Sequence, residues 1–412
     1  MRTYLYKKSN ANYTKEEKEA AKKKTLPLNQ FTYSISPNKG LYILNNKSEN
    51  KALKPGTEII AIDGKPVQNI IDQIEQSIST DGFNVTHQNI SLERTFAQRY
   101  KIYYPMADSL LVKYRVNNDS IAETIVNIIH KKKVDTVKIL KPVIAKIAPV
   151  KKLKYRGNYE EGKPQLDFKF LGKSKDFAYM KILSFSIPNA NYEMFYKECF
   201  DSIKRVGSQN LIIDLRNNGG GSLDASRNLF AYLTDKEFVY LGKPITNGYF
   251  DQRKYGNGFQ KVSYFLFGHN DKDDINIDEA GNLYTFMKGA RPLPPNKKNF
   301  KGKVYVLING YSFSASTLLS ANLKGINRAT FVGEESGGGF NQCVAGRLPV
   351  IELKNSKLLL RFGLFQMTPN TKTDIYGRGV FPDIAISSTV EDKIKGFDRE
   401  LDWVLNNTKT EK

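Results

Sequence analysis

The segment from Lys303 to Gln342, KVYVLINGYSFSASTLLSANLKGINRATFVGEESGGGFNQ, holds the strongest pattern in the chain. Its β-branched, apolar start, Val304 to Ile308, reads as a buried strand, and Asn309 to Ser312 as a turn of small and polar residues. A helix follows, and Ser312, Ser314 and Ser316 alternate through its start. A hydroxyl in the first turn of a helix lies beside unpaired backbone N–H groups and the positive end of the helix dipole. An enzyme can use a serine nucleophile there, because those N–H groups would meet an oxyanion, each donor contributing roughly 3 kcal/mol. The same serines also fit as helix caps, and the segment alone leaves both readings open.

The remainder of the chain narrows the choice. At 412 residues, with 40% hydrophobic and 12% aromatic residues, it can hold two or three domains with ordinary cores. Lys+Arg 63 against Asp+Glu 42 leaves a net charge of +21, which favours acidic partners by long-range attraction. The excess is spread widely, with local runs at Lys22-Lys23-Lys24 and Lys131-Lys132-Lys133. Zinc-finger spacing, a helix-turn-helix signature and aromatics set among basic residues are all missing, so no nucleic-acid partner is expected. Cys199 and Cys343 are far apart, form no metal-ligand pattern and read as buried, unpaired residues; no cofactor is expected. No window reaches the roughly 18 apolar residues of a transmembrane span, and Met1-Arg2-Thr3-Tyr4 does not open a signal peptide.

In chain order, residues 1–37 read as a polar N-terminal remnant or linker, with YTKEEKEAAKKK as a charged helix or linker. The stretch 38–105 predicts a strand at GLYILNN, a turn at Pro55-Gly56, a strand Glu58 to Ile62, a tight Asp63-Gly64 turn and an amphipathic helix from Val67 to Ile78. A second helix is expected from Leu92 to Tyr104. Residues 106–175 alternate in LLVKYRV, VDTVKILKPVIAKI and LDFKFLG, the pattern of a β-rich bridging segment. From 176 to 405 strand and helix alternate, an α/β signature interrupted by a Gly-, Asn-, Lys- and Pro-containing loop region at 244–300. Within this part a second strand-to-helix joint stands out. Ile212-Ile213-Asp214-Leu215-Arg216 ends in Asn217-Asn218-Gly219-Gly220-Gly221, which leaves bare N–H groups open to whatever lies above. Neither nucleotide-binding glycine motif fits this stretch.

These motifs carry a resemblance. Asp-Leu-Arg-Asn-Asn-Gly-Gly-Gly, then Val-Leu-Ile-Asn-Gly-x-Ser-Phe-Ser-Ala-Ser, Val-Gly-Glu-Glu-x-Gly-Gly-Gly and Gly-Val-x-Pro-Asp follow one another as in the C-terminal processing (tail-specific) and tricorn-core serine peptidases. The region around Leu53, Gly56, Ile59, Ile62, Gly64, Pro66 and Val67 resembles the PDZ-like domains of bacterial proteases. The resemblance implies a ClpP/crotonase-type core of β-β-α units behind a PDZ-like domain. It also implies Ser314 as nucleophile, with the N–H of Ala315 and one from Gly219 or Gly220 as oxyanion hole.

It leaves the base open. One branch of the family carries a lysine in a Gly-Lys-Gly segment, where this chain has Gly337-Gly338-Gly339. The tricorn-like branch takes a histidine from an N-terminal Asp-Gly-His-Thr-type segment, and His87, His130 and His269 are not in that context. Met1-Arg2-Thr3 resembles the tail of such a segment with Arg2 in the histidine's place, so the chain is expected to lack a preceding region that carries the base and an export signal. Within the chain, His87 is the best substitute base, and Asp374, two residues before Tyr376, is the candidate orienting carboxylate. Asp214 and Glu334 are expected to be structural, pairing with Arg216 or with turn backbone.

The fold expected is therefore α/β (α+β multidomain), and the function that of a serine endopeptidase acting on a polypeptide docked by a PDZ-like domain. A catalytically silent peptide-binding relative and a crotonase-like acyl-CoA enzyme are the alternatives. The location follows from the start of the chain: periplasmic, envelope or secreted if a leader precedes it, cytoplasmic otherwise. Oligomeric state is not legible.

Overall fold

Alternation of period two along Phe177–Ile182 sends Ala178, Met180 and Ile182 to one side and Phe177 and Tyr179 to the other. Asn210–Asp214 and Lys303–Ile308 divide in the same way, with Ile213 and Val306 on the first side and Ile212 and Leu307 on the second. Strands apolar on both faces must be covered on both, which calls for helices above and below. The computed structural model describes residues 3–6, 24–117, 120–130, 155–157, 159–160, 163–248, 275–341, 343–346 and 348–407. In it these strands form a six-stranded sheet in the order Leu166–Leu171, Phe177–Ile182, Asn210–Asp214, Lys303–Ile308, Thr330–Gly333, Ile384–Ala385. The first pair is antiparallel and the rest are parallel. Helices Tyr192–Val206, Leu223–Ala231 and Ala315–Gly325 cover one face, and Arg399–Asn407 covers the other through Val404 and Trp403.

One consequence bears directly on chemistry. Asn210–Asp214 and Lys303–Ile308 are adjacent and parallel, with Asp214 opposite Leu307, so both end at the same edge of the sheet. The glycine turn and the serine turn, about ninety residues apart in sequence, therefore emerge side by side, where open parallel sheets hold their ligands.

A smaller module precedes this sheet. Phe31–Ile35, Leu41–Asn46, Glu58–Ile62, Ser109–Arg115 and Ile121–Asn127 pair antiparallel in that order, and helices Val67–Glu75 and Val85–Tyr103 pack their Ile70, Ile74, Phe96 and Tyr100 into the shared core. That core takes in Phe31 and Tyr33, inside the span read from sequence as a linker, and Leu110, Val112 and Val126, beyond residue 105. The second helix starts at Val85 and not at Leu92, because Asn84 caps it by accepting from the His87 N–H. The mostly polar stretch 85–91, with only Val85 and Ile90 apolar, hides that start from a periodicity argument.

A five-stranded sheet brings Ile275–Ile277, Leu283–Thr285 and Ile245–Thr246 out of the expected loop region to pair beside Phe365–Met367 and Cys343–Ala345. Thr3–Tyr6 pairs antiparallel with Leu359–Phe362. Both cysteines are buried and unpaired, as expected. The strand expected in VDTVKILKPVIAKI, nearly all of the charged YTKEEKEAAKKK segment and His269 lie outside the described residues. No helix among the described residues is long and apolar enough to cross a membrane.

Candidate active site

The three serines of the second joint have three different fates. Ser312 is buried, its Oγ donating to Leu215 O at 2.9 Å and accepting from Asn309 N, so it ties the serine turn to the glycine turn. Ser316 is buried inside the helix with no partner for its hydroxyl. Ser314 is the N-cap residue of Ala315–Gly325 yet does not cap it: its backbone sits at φ 55°, ψ −120°, and its hydroxyl has no hydrogen-bond partner among the described residues. A non-glycine residue at that dihedral pair is strained by roughly 1–3 kcal/mol and is held there only because its surroundings over-determine it.

Those surroundings are the glycines of the other joint. Gly220 (φ 101°) passes so close that a Cβ on it would stand 2.6 Å from Ser314 Cβ and 3.0 Å from Ala315 N, so no side chain fits. The Gly220 N–H donates to Asn218 Oδ1 at 2.9 Å, whereas Gly219 is exposed and its N–H donates to no described residue. Asn218 anchors the turn further, with Nδ2 on Ile182 O and its carbonyl accepting from Phe313 N at 2.9 Å. Ala315, the first residue of the helix, follows Ser314 directly, and Gly219 precedes the Gly220 that packs on Ser314, so the two N–H groups belong to the segments that meet at this serine.

Beneath the glycine turn lies a buried charge cluster. Asp214 is fully buried and accepts from Tyr179 Oη, Lys181 Nζ and Arg216, and Arg216 continues to Asp398 and Glu400 of the C-terminal segment. Burial alone would raise the Asp214 carboxyl, but Arg216 first, then Lys181 and the Tyr179 hydroxyl, outweigh it and hold the group well below the usual carboxylate range. The expectation that Asp214 pairs with Arg216 therefore holds. Glu334 is shifted the other way, upward, chiefly by burial.

His87 stands in the first turn of helix Val85–Tyr103, whose N-terminal end is docked on the serine joint. Phe83 N donates to Gly377 O, Asn84 Nδ2 to Ser336 O, and Thr86 Oγ1 to Glu335 O. The imidazole lies 5.1 Å from the Phe313 ring and 6.0 Å, stacked, from that of Tyr311. Its Nδ1 is 2.9 Å from Gly310 O; a carbonyl only accepts, so Nδ1 carries the proton, and Nε2 is left to accept from Ser91 Oγ at 3.2 Å. The Gly337-Gly338 pair explains the missing lysine segment. A Cβ on Gly337 would be 2.9 Å from His87 Nδ1, and one on Gly338 would be 3.1 Å from Ser314 N. Bare backbone at these two positions lets the helix carrying His87 and the turn carrying Ser314 approach the same segment. Asp374 is exposed, with no hydrogen bond or ion pair to a described residue, and the Gly310 carbonyl occupies the orienting position on the imidazole. His130 is exposed in a short strand pair with Lys24–Thr25. Sequence reasoning gave no role to Asn84, Thr86, Asn217 or Asn309; the last two lie in the turns after their strands and pair through their amides, Asn309 Nδ2 donating to Asn217 Oδ1 at 3.0 Å.

The family model for peptidase family S41 matches residues 176–386, just over half of the 412-residue chain. The chain belongs to peptidase family S41. A carboxy-terminal-processing protease of Bartonella bacilliformis is 38% identical over 99 residues, 24% of this chain and 21% of that protein, so the match spans about a fifth of the curated relative's length. Two solved structures of mature CPAF, the second complexed with lactacystin, share the fold at 18% identity, with TM-scores of 0.58 and 0.60. They cover 92% and 93% of this chain and 81% and 83% of theirs. The two joints of the site, Asp214 to Gly221 and Asn309 to Ser316, fall inside the family span, and His87 falls outside it.

Proposed function

We propose that this S41 chain is a serine endopeptidase whose nucleophile is Ser314 and whose general base is His87. The observation that carries the reading is an N-cap serine held at φ 55° whose hydroxyl has no hydrogen-bond partner among the described residues, packed against the glycine turn at Gly220. In the reaction His87 Nε2 gives up the Ser91 hydroxyl and takes the Ser314 Oγ–H proton as Oγ bonds to the scissile carbonyl carbon. The carbonyl oxygen becomes an oxyanion received by Ala315 N–H and Gly219 N–H, each contributing roughly 3 kcal/mol to the barrier reduction. Gly220, also a candidate from sequence, serves by its lack of a side chain, since its own N–H is already given to Asn218. The C–N bond then breaks, the leaving amine takes the proton from His87, and water hydrolyses the acyl-enzyme by the reverse sequence. The Gly310 carbonyl holds the tautomer this requires, the role for which Asp374 was the sequence candidate.

The module around residues 28–126 is assigned the docking of an extended polypeptide, as a PDZ-like domain does by adding a strand to a sheet. A fluorophosphonate probe tests the whole reading: the chain is expected to label, Ser314→Ala to abolish labelling, and His87→Gln to slow it by orders of magnitude. Absence of labelling in the unaltered chain would leave a silent peptide-binding protein in its place.

A further inference from the structure

We infer that Arg94 is a positioning residue that locks the oxyanion turn to the helix carrying the base. The inference rests on the peptidase reading above and adds to it a residue outside the family span.

Arg94 lies on the same face of helix Val85–Tyr103 as His87 and Ser91, seven and three residues further along. Its Nη2 donates to Asn217 Oδ1 at 2.7 Å, and its guanidinium carbon stands 3.9 Å from the centre of the Tyr311 ring. Both contacts lead to the site. Asn217 adopts a left-handed backbone (φ 67°) two residues before Gly219, and its N–H donates to Asn309 Oδ1 at 3.0 Å. Tyr311, between Gly310 and Ser312, stacks on the His87 ring, and its edge lies 3.3 Å from where a Cβ on Gly219 would be. One guanidinium therefore touches the left-handed residue that opens the glycine turn and the ring that lies against both Gly219 and the base.

The chemistry of the contacts argues for placement and against surface decoration. Arg94 is exposed and has no carboxylate partner among the described residues, so no ion pair explains its position. A charge-assisted hydrogen bond to a neutral amide plus a face-on cation–π contact are directional, and both fix geometry more than they neutralise charge. Asn217 Oδ1 also accepts from Asn309 Nδ2, so the amide oxygen joins three segments: the helix of the small module, the glycine turn and the serine turn. A shift of about 1 Å in a reacting group costs up to about 100-fold in rate. Removing this joint is expected to produce a loss of that kind without unfolding the protein.

The test uses the full chain with the fluorophosphonate probe and a peptide substrate. Arg94→Met is expected to label at Ser314 about 10- to 100-fold more slowly. Peptide hydrolysis should show a lowered kcat at nearly constant KM, and added guanidinium ion should restore part of the rate. Asn217→Gly keeps the left-handed backbone but removes the acceptor. It is expected to be slow as well, and to lose little more when combined with Arg94→Met. Labelling of Arg94→Met at the rate of the unaltered chain, or losses in the two variants that multiply in the double variant, would overturn the inference and leave the peptidase reading intact. No labelling of the unaltered chain overturns both.

Discussion

Two serines stand at helix starts on the same edge of the central sheet, and the structure uses them in opposite ways. Ser222 begins the helix after the glycine turn with ordinary extended backbone (φ −63°, ψ 122°), and its side chain accepts from Ala225 N. Ser314 begins the helix after the serine turn with φ 55°, and its side chain caps nothing. The glycine turn is eased because Gly220 (φ 101°) and Gly221 (φ 138°) take its sharpest dihedrals, Asn217 takes a left-handed one that asparagine tolerates, and a buried ion cluster holds the turn from below. The serine turn has no such slack. It is held by neutral hydrogen bonds, Ser312 Oγ to Leu215 O and Thr317 Oγ1 to Ser312 O, and the strain is concentrated at one residue. A helix-start serine is therefore a candidate nucleophile when its backbone prevents it from capping.

The comparison can be broken in several places. Ser314→Gly should have the largest effect: peptide hydrolysis falls by a factor on the order of 10⁴–10⁶. The melting temperature should nevertheless rise, since glycine accepts φ 55° without strain, by the equivalent of about 1 kcal/mol. A variant that melts lower would show that Ser314 is not strained. Next, Arg216→Met leaves Asp214 buried with Lys181, Tyr179 and the backbone N–H of residue 216 but without the guanidinium that offsets most of its charge. A loss of roughly 3–5 kcal/mol is expected as a lowered urea midpoint at unchanged slope.

Smaller is Ser222→Ala, which removes a cap and should cost about 1 kcal/mol while kcat stays close to that of the parent. A collapse of kcat in that variant would erase the distinction between the two serines. The pH dependence separates the joints by their anchors. The carboxyls of Asp214 and Asp398 are depressed in the folded state, so their stabilisation is complete above the unfolded value near about 3.9 and is lost as pH falls from there through the folded values. Amide exchange, corrected for its intrinsic pH dependence, should accelerate below about pH 4 at Asn217 to Gly221 before it does so at Ser312 to Ala315.

Much of this was readable before any coordinates. Each joint is a strand, a turn and a helix start within some fifteen residues, so Gly219, Gly220, Ser314 and Ala315 announce themselves through local patterning. The choice among Ser312, Ser314 and Ser316 needed either the resemblance or the backbone angles, because spacing alone treats them alike. His87 could be nominated but not placed. Its contact with Gly310 spans 223 residues, and the mostly polar residues 86–91 conceal a helix start whose local mark is the Asn84 cap. Arg94 left no trace, since an exposed arginine seven residues into a helix looks like any solvated side chain. The glycine triplet at 337–339 reads from sequence as a missing lysine; in space Gly337 and Gly338 are the clearance that two converging backbones require.

Helix Val85–Tyr103 belongs to two neighbourhoods at once, its Phe96 and Tyr100 in the core of the small module and its first turn against Gly310 and Ser336. An excised fragment beginning near residue 176 would keep every motif by which the family is recognised and would still lack both the proposed base and Arg94. Recombination that exchanged the small module for another would likewise import a new base or none. With His87 as the proposed base, the unit that can be inherited as a working peptidase is longer than the unit that can be recognised as one.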